Sequence, residues 1–266
     1  MTTMSLFNKF HRGLIPVAIK LIELKDAIQY CCISIKNYFL AEKNIIDFKN
    51  IPIIINNFNR VTYLKELIEC LQKRGYNNIY IIDNNSTYPP LLDYYKTCSC
   101  QVYRLNENMG YKAFILSGIY KQFINKYFVY TDSDIYLPEE CPENILEYFY
   151  LLLKKYPFVS KVGCALKIDD IPDTYKLKSK VQEWEGKYWE KEINKNVFVA
   201  QLDTTFTLYK PNFPVGASLI GKNLRVAGRF IAIHRPWYLD SDNLSDEELY
   251  YVKTATTSTF WSKQSK

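Results

Sequence analysis

Two aspartates one residue apart, Asp132 and Asp134, close the apolar run Tyr127-Phe128-Val129-Tyr130-Thr131. In extended backbone, side chains at i and i+2 project to one side, so both carboxylates would face a common ligand. Hard oxygen donors of this kind suit Mg²⁺ or Mn²⁺ carrying phosphates better than zinc. Pro138 and Glu139-Glu140 then stop the strand. Three more polar clusters each follow a short apolar run: Asn56-Asn57-Phe58-Asn59-Arg60, Asp83-Asn84-Asn85-Ser86-Thr87 and Asn106-Glu107-Asn108-Met109-Gly110. Further along, Trp184 and Trp189 stand beside Glu185, where aromatic faces next to carboxylates could stack on sugar rings and bind hydroxyls. Asp203 sits in the β-rich run Val197 to Tyr209. His234 and Arg235 end the run Ile231-Ala232-Ile233, and Arg235 or Arg229 could pair with diphosphate oxygens.

The elements that must position these residues follow from hydrophobic period. Ile51 to Ile55 is a continuous apolar strand of the kind buried on both faces. Leu64, Leu67, Ile68 and Leu71 fall at i, i+3, i+4, i+7 and predict a helix. Ile79 to Ile82 and Gln101 to Leu105 predict two more strands, and residues 111–124 predict a helix leading into the Asp132 strand. Strand, polar loop and helix, repeated, signal a mostly parallel α/β sheet with helices on both faces. Ligands of such sheets bind beyond the carboxyl ends of the strands. Asn57, Asn59, Arg60, Asp83 and Asp132 are therefore expected to converge on one crevice. In the second half, Cys141 to Lys155 predicts a helix and Val159 to Ile168 a strand. Ser245-Asp246-Glu247-Glu248 predicts an N-capped helix start.

The chain has 266 residues and a formal net charge of +6, with 23 Tyr and only 9 Gly. The positive charge is too diffuse for nucleic acid. Seven cysteines and two histidines assemble no zinc pattern and read as reduced thiols. The N-terminus lacks a cleaved apolar leader pattern, so the expected location is the cytoplasm. Residues 1–45 form a separate helical segment, in which the mixed stretch 14–40 is interrupted by Lys20, Glu23, Lys25, Asp26 and Lys36. That stretch is amphipathic rather than membrane-spanning, and it suits self-association or peripheral contact with a membrane surface.

Taken in order, Pro52-Ile53-Ile54-Ile55-Asn56-Asn57-Phe58-Asn59-Arg60, Ile81-Ile82-Asp83-Asn84-Asn85-Ser86-Thr87, Asn106-Glu107-Asn108-Met109-Gly110 and Thr131-Asp132-Ser133-Asp134 resemble the nucleotide-diphospho-sugar glycosyltransferases of GT-A fold, most like family 2. The chain departs from the common pattern in carrying Asn56-Asn57 where Thr or Ser is frequent. The resemblance implies a donor half over 51–137, an acceptor half over 138–252 and a tail over 253–266. It implies donor contacts from Asn57, Asn59, Arg60, Asp83, Asn108, Gly110, Asp132 and Arg235. It makes Asp132 and Asp134 a DXD motif for Mn²⁺ or Mg²⁺ on the donor diphosphate, with His234 as a further metal ligand. The implied reaction is hexosyl transfer from a nucleotide-diphosphate sugar, UDP-sugar favoured, to a glycan or lipid-linked acceptor in polysaccharide or glycoconjugate synthesis. Asp203 is the first candidate for the base that activates the acceptor hydroxyl and Glu185 the second. Trp184 and Trp189 are the candidate acceptor platform. Two other readings stay open: a catalytically silent nucleotide- or glycan-binding protein of the same fold, and a sugar-phosphate nucleotidyltransferase.

Overall fold

The computed structural model describes residues 46–212 and 222–255, together with Ile28 and Cys32. The expected N-terminal segment, with its 14–40 surface, lies outside the described residues apart from those two, and so does the tail beyond Ala255. Among the described residues, no helix is long and apolar enough to cross a membrane.

The first half is built as the hydrophobic pattern requires. Strands β1 (Ile53–Asn57), β2 (Ile79–Asp83), β3 (Gln101–Arg104) and β4 (Phe128–Asp132) pair in parallel, with β1 between β2 and β4 and β3 outside β2. Helices α1 (Thr62–Lys73) and α2 (Pro89–Thr97) make the crossovers. Side chains alternate across a strand, so the isoleucines of β1 divide between two cores. Ile53 and Ile55 join the layer containing Leu64, Leu67 and Leu71 of α1. Ile54 faces the other way, toward Phe114, Phe123, Phe128 and Tyr130. An apolar residue at every position is what a strand covered on both faces needs.

Residues 111–124 depart from the expected single helix. They form a 3-10 turn at Gly110–Lys112, a short α3 (Ala113–Leu116) and a second 3-10 turn at Ile119–Gln122. Gly118, at φ 76°, takes the left-handed conformation that ends the helical run.

Past β4, a turn at Ser133 and Asp134 leads to β5 (Ile135–Tyr136), so the two aspartates flank a bend rather than share one extended strand. The second half comprises α4 (Ile145–Lys155), β6 (Val159–Cys164), α5 (Lys178–Gly186), β7 (Glu192–Asn194), β8 (Val197–Val199), β9 (Thr207–Tyr209), β10 (Lys222–Val226), β11 (Ile233–His234) and α6 (Asp246–Thr254). Among the described residues, the main sheet runs β3-β2-β1-β4-β9-β6-β10-β8-β7. Strand β9 enters antiparallel between β4 and β6, which makes the sheet mixed. The expected strand over 159–168 ends at Cys164, and the run 197–209 is two strands joined by an irregular segment, residues 200–206, that carries Asp203.

Candidate active site

Register places the polar ends of the parallel strands. Asn56 of β1 lies opposite Asp132 of β4, and its Nδ2 donates to Asp132 Oδ1 at 3.1 Å. Both side chains share the face of Ile54 and Tyr130, and both open into a cavity of about 500 Å³. Asn84 follows β2 into the same wall. Its Oδ1 accepts from Met109 N at 2.7 Å and its Nδ2 donates to Gly110 O at 2.9 Å, so it fixes the loop that carries Asn108 and Gly110. Antiparallel pairing of β5 with β11 sets His234 opposite Ile135 and so beside Asp134.

The carboxylate pair is buried among charges. Asp132 Oδ1 accepts from Asn56 and Oδ2 from the Thr204 hydroxyl. Burial, with the charge of Asp134 next in effect, pushes the Asp132 carboxyl up to about 8. For Asp134 burial also favours the neutral acid, but His234 and Arg60 outweigh it and hold the group low, at about 2. Arg60 NH1 donates to Asp134 Oδ2 at 2.7 Å, and His234 Nε2 lies 3.5 Å from the same oxygen. Asp134 Oδ1 and His234 Nδ1 are buried with no hydrogen-bond partner among the described residues. Among those residues no three acidic, His or Cys groups are clustered as a ready metal cage. Two carboxylates, one with an unclaimed buried oxygen, nonetheless fit a divalent cation that takes its remaining ligands from phosphate and water.

The opposite wall brings Trp184, Glu185 and Asp203 to the same cavity. Asp203 is exposed on the 200–206 segment, whose Thr204 carbonyl accepts from Asp132 N at 2.9 Å. That segment ends at Phe206, fully buried at φ 42°, a conformation that bulky residues rarely take and that clusters at functional sites. Glu185 is buried and bound to Arg225 at 2.5 Å. The Arg225 Nε also donates to Gln201 O at 2.7 Å, and its guanidinium lies 4.0 Å from the Tyr188 ring centre. Trp184 is exposed at the cavity rim, with the Lys187 ammonium 3.3 Å from its ring centre.

Several expected site residues lie off the cavity wall. Asn57 and Asp83 share the parity of Ile53 and Ile55, so they point to the α1 and α2 layer. Tyr95 OH donates to Asp83 Oδ1 at 3.1 Å and accepts from Asn57 Nδ2 at 3.0 Å, while Arg104 Nε donates to Asp83 Oδ2 at 3.2 Å. Asn59 is fully buried, with its Oδ1 accepting from Thr87 N and Tyr88 N and its Nδ2 donating to Thr254 Oγ1. Arg235 forks onto Glu66 with two 2.9 Å bonds. Trp189 packs edge-on against Phe198, 5.3 Å between ring centres. Conversely, Asn56, Asn84, Thr204, Glu248 and Tyr251 line the cavity, although none of them was assigned a site role from the sequence. The first two belong to the polar clusters that follow β1 and β2, but those apolar runs do not mark which residue of a cluster turns inward. Nothing local marks the last three, which arrive by long-range packing.

Among solved structures, the chain is similar to TarS of S. aureus, residues 1–349, at 15% identity over 69% of this chain and 60% of that one, with a TM-score of 0.42. A second TarS structure gives 18% identity over 47% of this chain and 23% of that one, TM-score 0.34. GalNAc-T7, solved with UDP, GalNAc and Mn²⁺, gives 13% identity over 72% of this chain and 44% of that one, TM-score 0.45. In all three cases the chain spans less than two thirds of the other protein's length. No curated protein matches. Residues 53–209, more than half of the chain and all of the parallel core with its carboxylate pair, match the family described as Glycosyl transferase family 2, and the α/β chain with its GT-A architecture belongs to that family.

Proposed function

We propose that the protein transfers a hexosyl unit from a nucleotide-diphosphate sugar, UDP-sugar first, to a glycan or lipid-linked hydroxyl. The observation that supports this best is one shared cavity, in which Asp132, Asp134 and Arg60 face Asp203 and Trp184. Asn56, Asn84, Asn108 and Gly110 would shape the nucleotide end. Asp132 and Asp134, with His234 beside them, would hold Mn²⁺ or Mg²⁺. When bound, that cation stabilises charge on the departing diphosphate as a Lewis acid and orients it.

The chain's own residues do the rest. Arg60 NH1 reaches the cavity beside Asp134, where a guanidinium suits phosphate oxygens. Asp203 is the group placed to take the acceptor hydroxyl proton, because Glu185 is committed to Arg225. Trp184 offers an exposed aromatic face to an acceptor ring. The Asp83 carboxylate, held by Arg104 and Tyr95, would support the nucleoside pocket from beneath.

A thermal-shift panel of UDP, GDP, CDP and dTDP, each with and without Mn²⁺, tests the donor half, since a ligand that binds only the folded chain raises Tm. One nucleotide should shift Tm only with metal, and Asp134→Ala should abolish that shift while leaving the unliganded Tm within a few degrees. Sugar release from the matching donor separates transfer from silent binding. A panel without any shift would sink the donor assignment.

A further inference from the structure

Helix α6 reaches back to the loop after β1 and forms part of the cavity wall. Two successive carboxylates do this in different ways. Glu247 accepts from Val61 N and from Thr62 N and Oγ1, capping α1 from a distant segment. Glu248 instead takes the Arg60 guanidinium: Nε donates to its Oε1 at 2.9 Å and NH2 to its Oε2 at 2.8 Å. The remaining Arg60 nitrogen, NH1, is the one on Asp134. Tyr251, one turn further along α6, stacks on the same guanidinium with its ring centre 3.6 Å from Cζ. Arg60 is 6% exposed and Glu248 4%, so solvent screens neither charge well.

A buried guanidinium touching a carboxylate that must hold a cation is an electrostatic problem. Alone, it would compete for Asp134 and repel a divalent ion. With Glu248 bound to it bidentately, the fork is fixed in one orientation and its charge is offset. With Asp132 ionised, as a bound cation requires, Arg60 carries one positive charge against the negative charges of Glu248, Asp132 and Asp134. Their net of two negative charges matches one divalent cation.

We propose that Glu248 is a positioning residue for the cation site: acting through Arg60, it orients the guanidinium on Asp134 and cancels its charge, and so sets the affinity of the Asp132/Asp134 pair for a divalent cation. This rests on the reading of that pair as the cation site.

The test is a titration of the full chain with Mn²⁺ alone, followed by the electron paramagnetic resonance signal of the free ion. Glu248→Gln keeps the shape of the side chain but leaves Arg60 uncompensated, and should weaken the Mn²⁺ Kd about tenfold or more. Arg60→Gln should move the Mn²⁺ Kd the opposite way, about tenfold tighter, and stays readable if Glu248→Gln fails to fold. The double variant should return to within about threefold of the parent. Glu247→Gln, which loosens the same helix without touching Arg60, should lower Tm and leave Mn²⁺ affinity unchanged. Opposite shifts from the two single variants would not arise from loss of packing alone. Equal Mn²⁺ affinity in parent, Glu248→Gln and Arg60→Gln overturns the proposal, as does equal weakening by Glu247→Gln and Glu248→Gln. A parent chain that binds no Mn²⁺ overturns the cation reading itself, and this proposal with it.

Discussion

At the scale of single residues, the carboxylates of Asp203 and Glu185 have opposite environments and should respond differently to substitution. Asp203 is exposed on the cavity wall. If Asp203 is the proposed base, Asp203→Asn removes a proton acceptor and little else, so kcat should fall by roughly 10²–10⁴ with donor KM nearly unchanged and the parent's Tm retained. Steady-state kinetics beside a melting curve decide this, and unaltered kcat would move the base elsewhere. Glu185 is 5% exposed and is the counter-ion of Arg225, itself 2% exposed. Glu185→Gln strands a buried guanidinium, which typically costs about 3–5 kcal/mol. Urea unfolding should register that loss, and a variant as stable as the parent would mean that the pair does not neutralise Arg225.

Elements decide which residues of a motif reach the cavity, and here the sequence was legible to different depths. The four parallel strands and the polar ends that follow them could be read from period alone. Which side chain of each end turns inward could not be read from an all-apolar strand, because a run such as Ile53-Ile54-Ile55 has no polar face to mark its parity. Hence Asn56 and Asn84 line the cavity where Asn57 and Asp83 were expected. The antiparallel insertion of β9 was hidden for another reason. It is three residues long, and its place between β4 and β6 is set by pairings distant in sequence. That insertion leaves little room, since a Cβ on Gly163 of β6 would lie 3.1 Å from Thr207 Cα and closer still to the Thr207 hydroxyl. Gly163→Ala should therefore destabilise the fold by about 1–3 kcal/mol, and because β9 follows directly on the 200–206 segment, activity should fall with it. Denaturant unfolding checks the first effect, and a neutral result would show that β9 is free to shift.

Across the whole molecule, burial of cations leaves a signature in the pH dependence of stability. Lys210 is 5% exposed, donates to Pro157 O at 2.8 Å, and is held by burial at about 8, below its ordinary 10.5. Between those values the unfolded chain binds the proton that the folded chain has released, so stability rises with pH through that window. Below pH 8 the cost of burying the ammonium is present in full. Compared with Lys210→Met, the parent should gain on the order of 2–3 kcal/mol from pH 8 to pH 10. Unfolding curves at several pH values measure the difference, and parallel profiles would show that Lys210 keeps its proton in the fold.

The cap that Glu247 places on α1 has a consequence for how the protein is made. Glu247 stands 185 residues after Thr62. At roughly 5–20 residues per second, a ribosome needs about 10–40 s to supply it after Thr62 has been added. The β1 loop and Arg60 must wait that long for their partners, although their own strands already have sequence neighbours with which to pair. A nascent chain arrested before α6 should thus contain a parallel sheet with an unfinished β1 loop, and the cavity wall should be completed late and abruptly, as α6 leaves the exit tunnel.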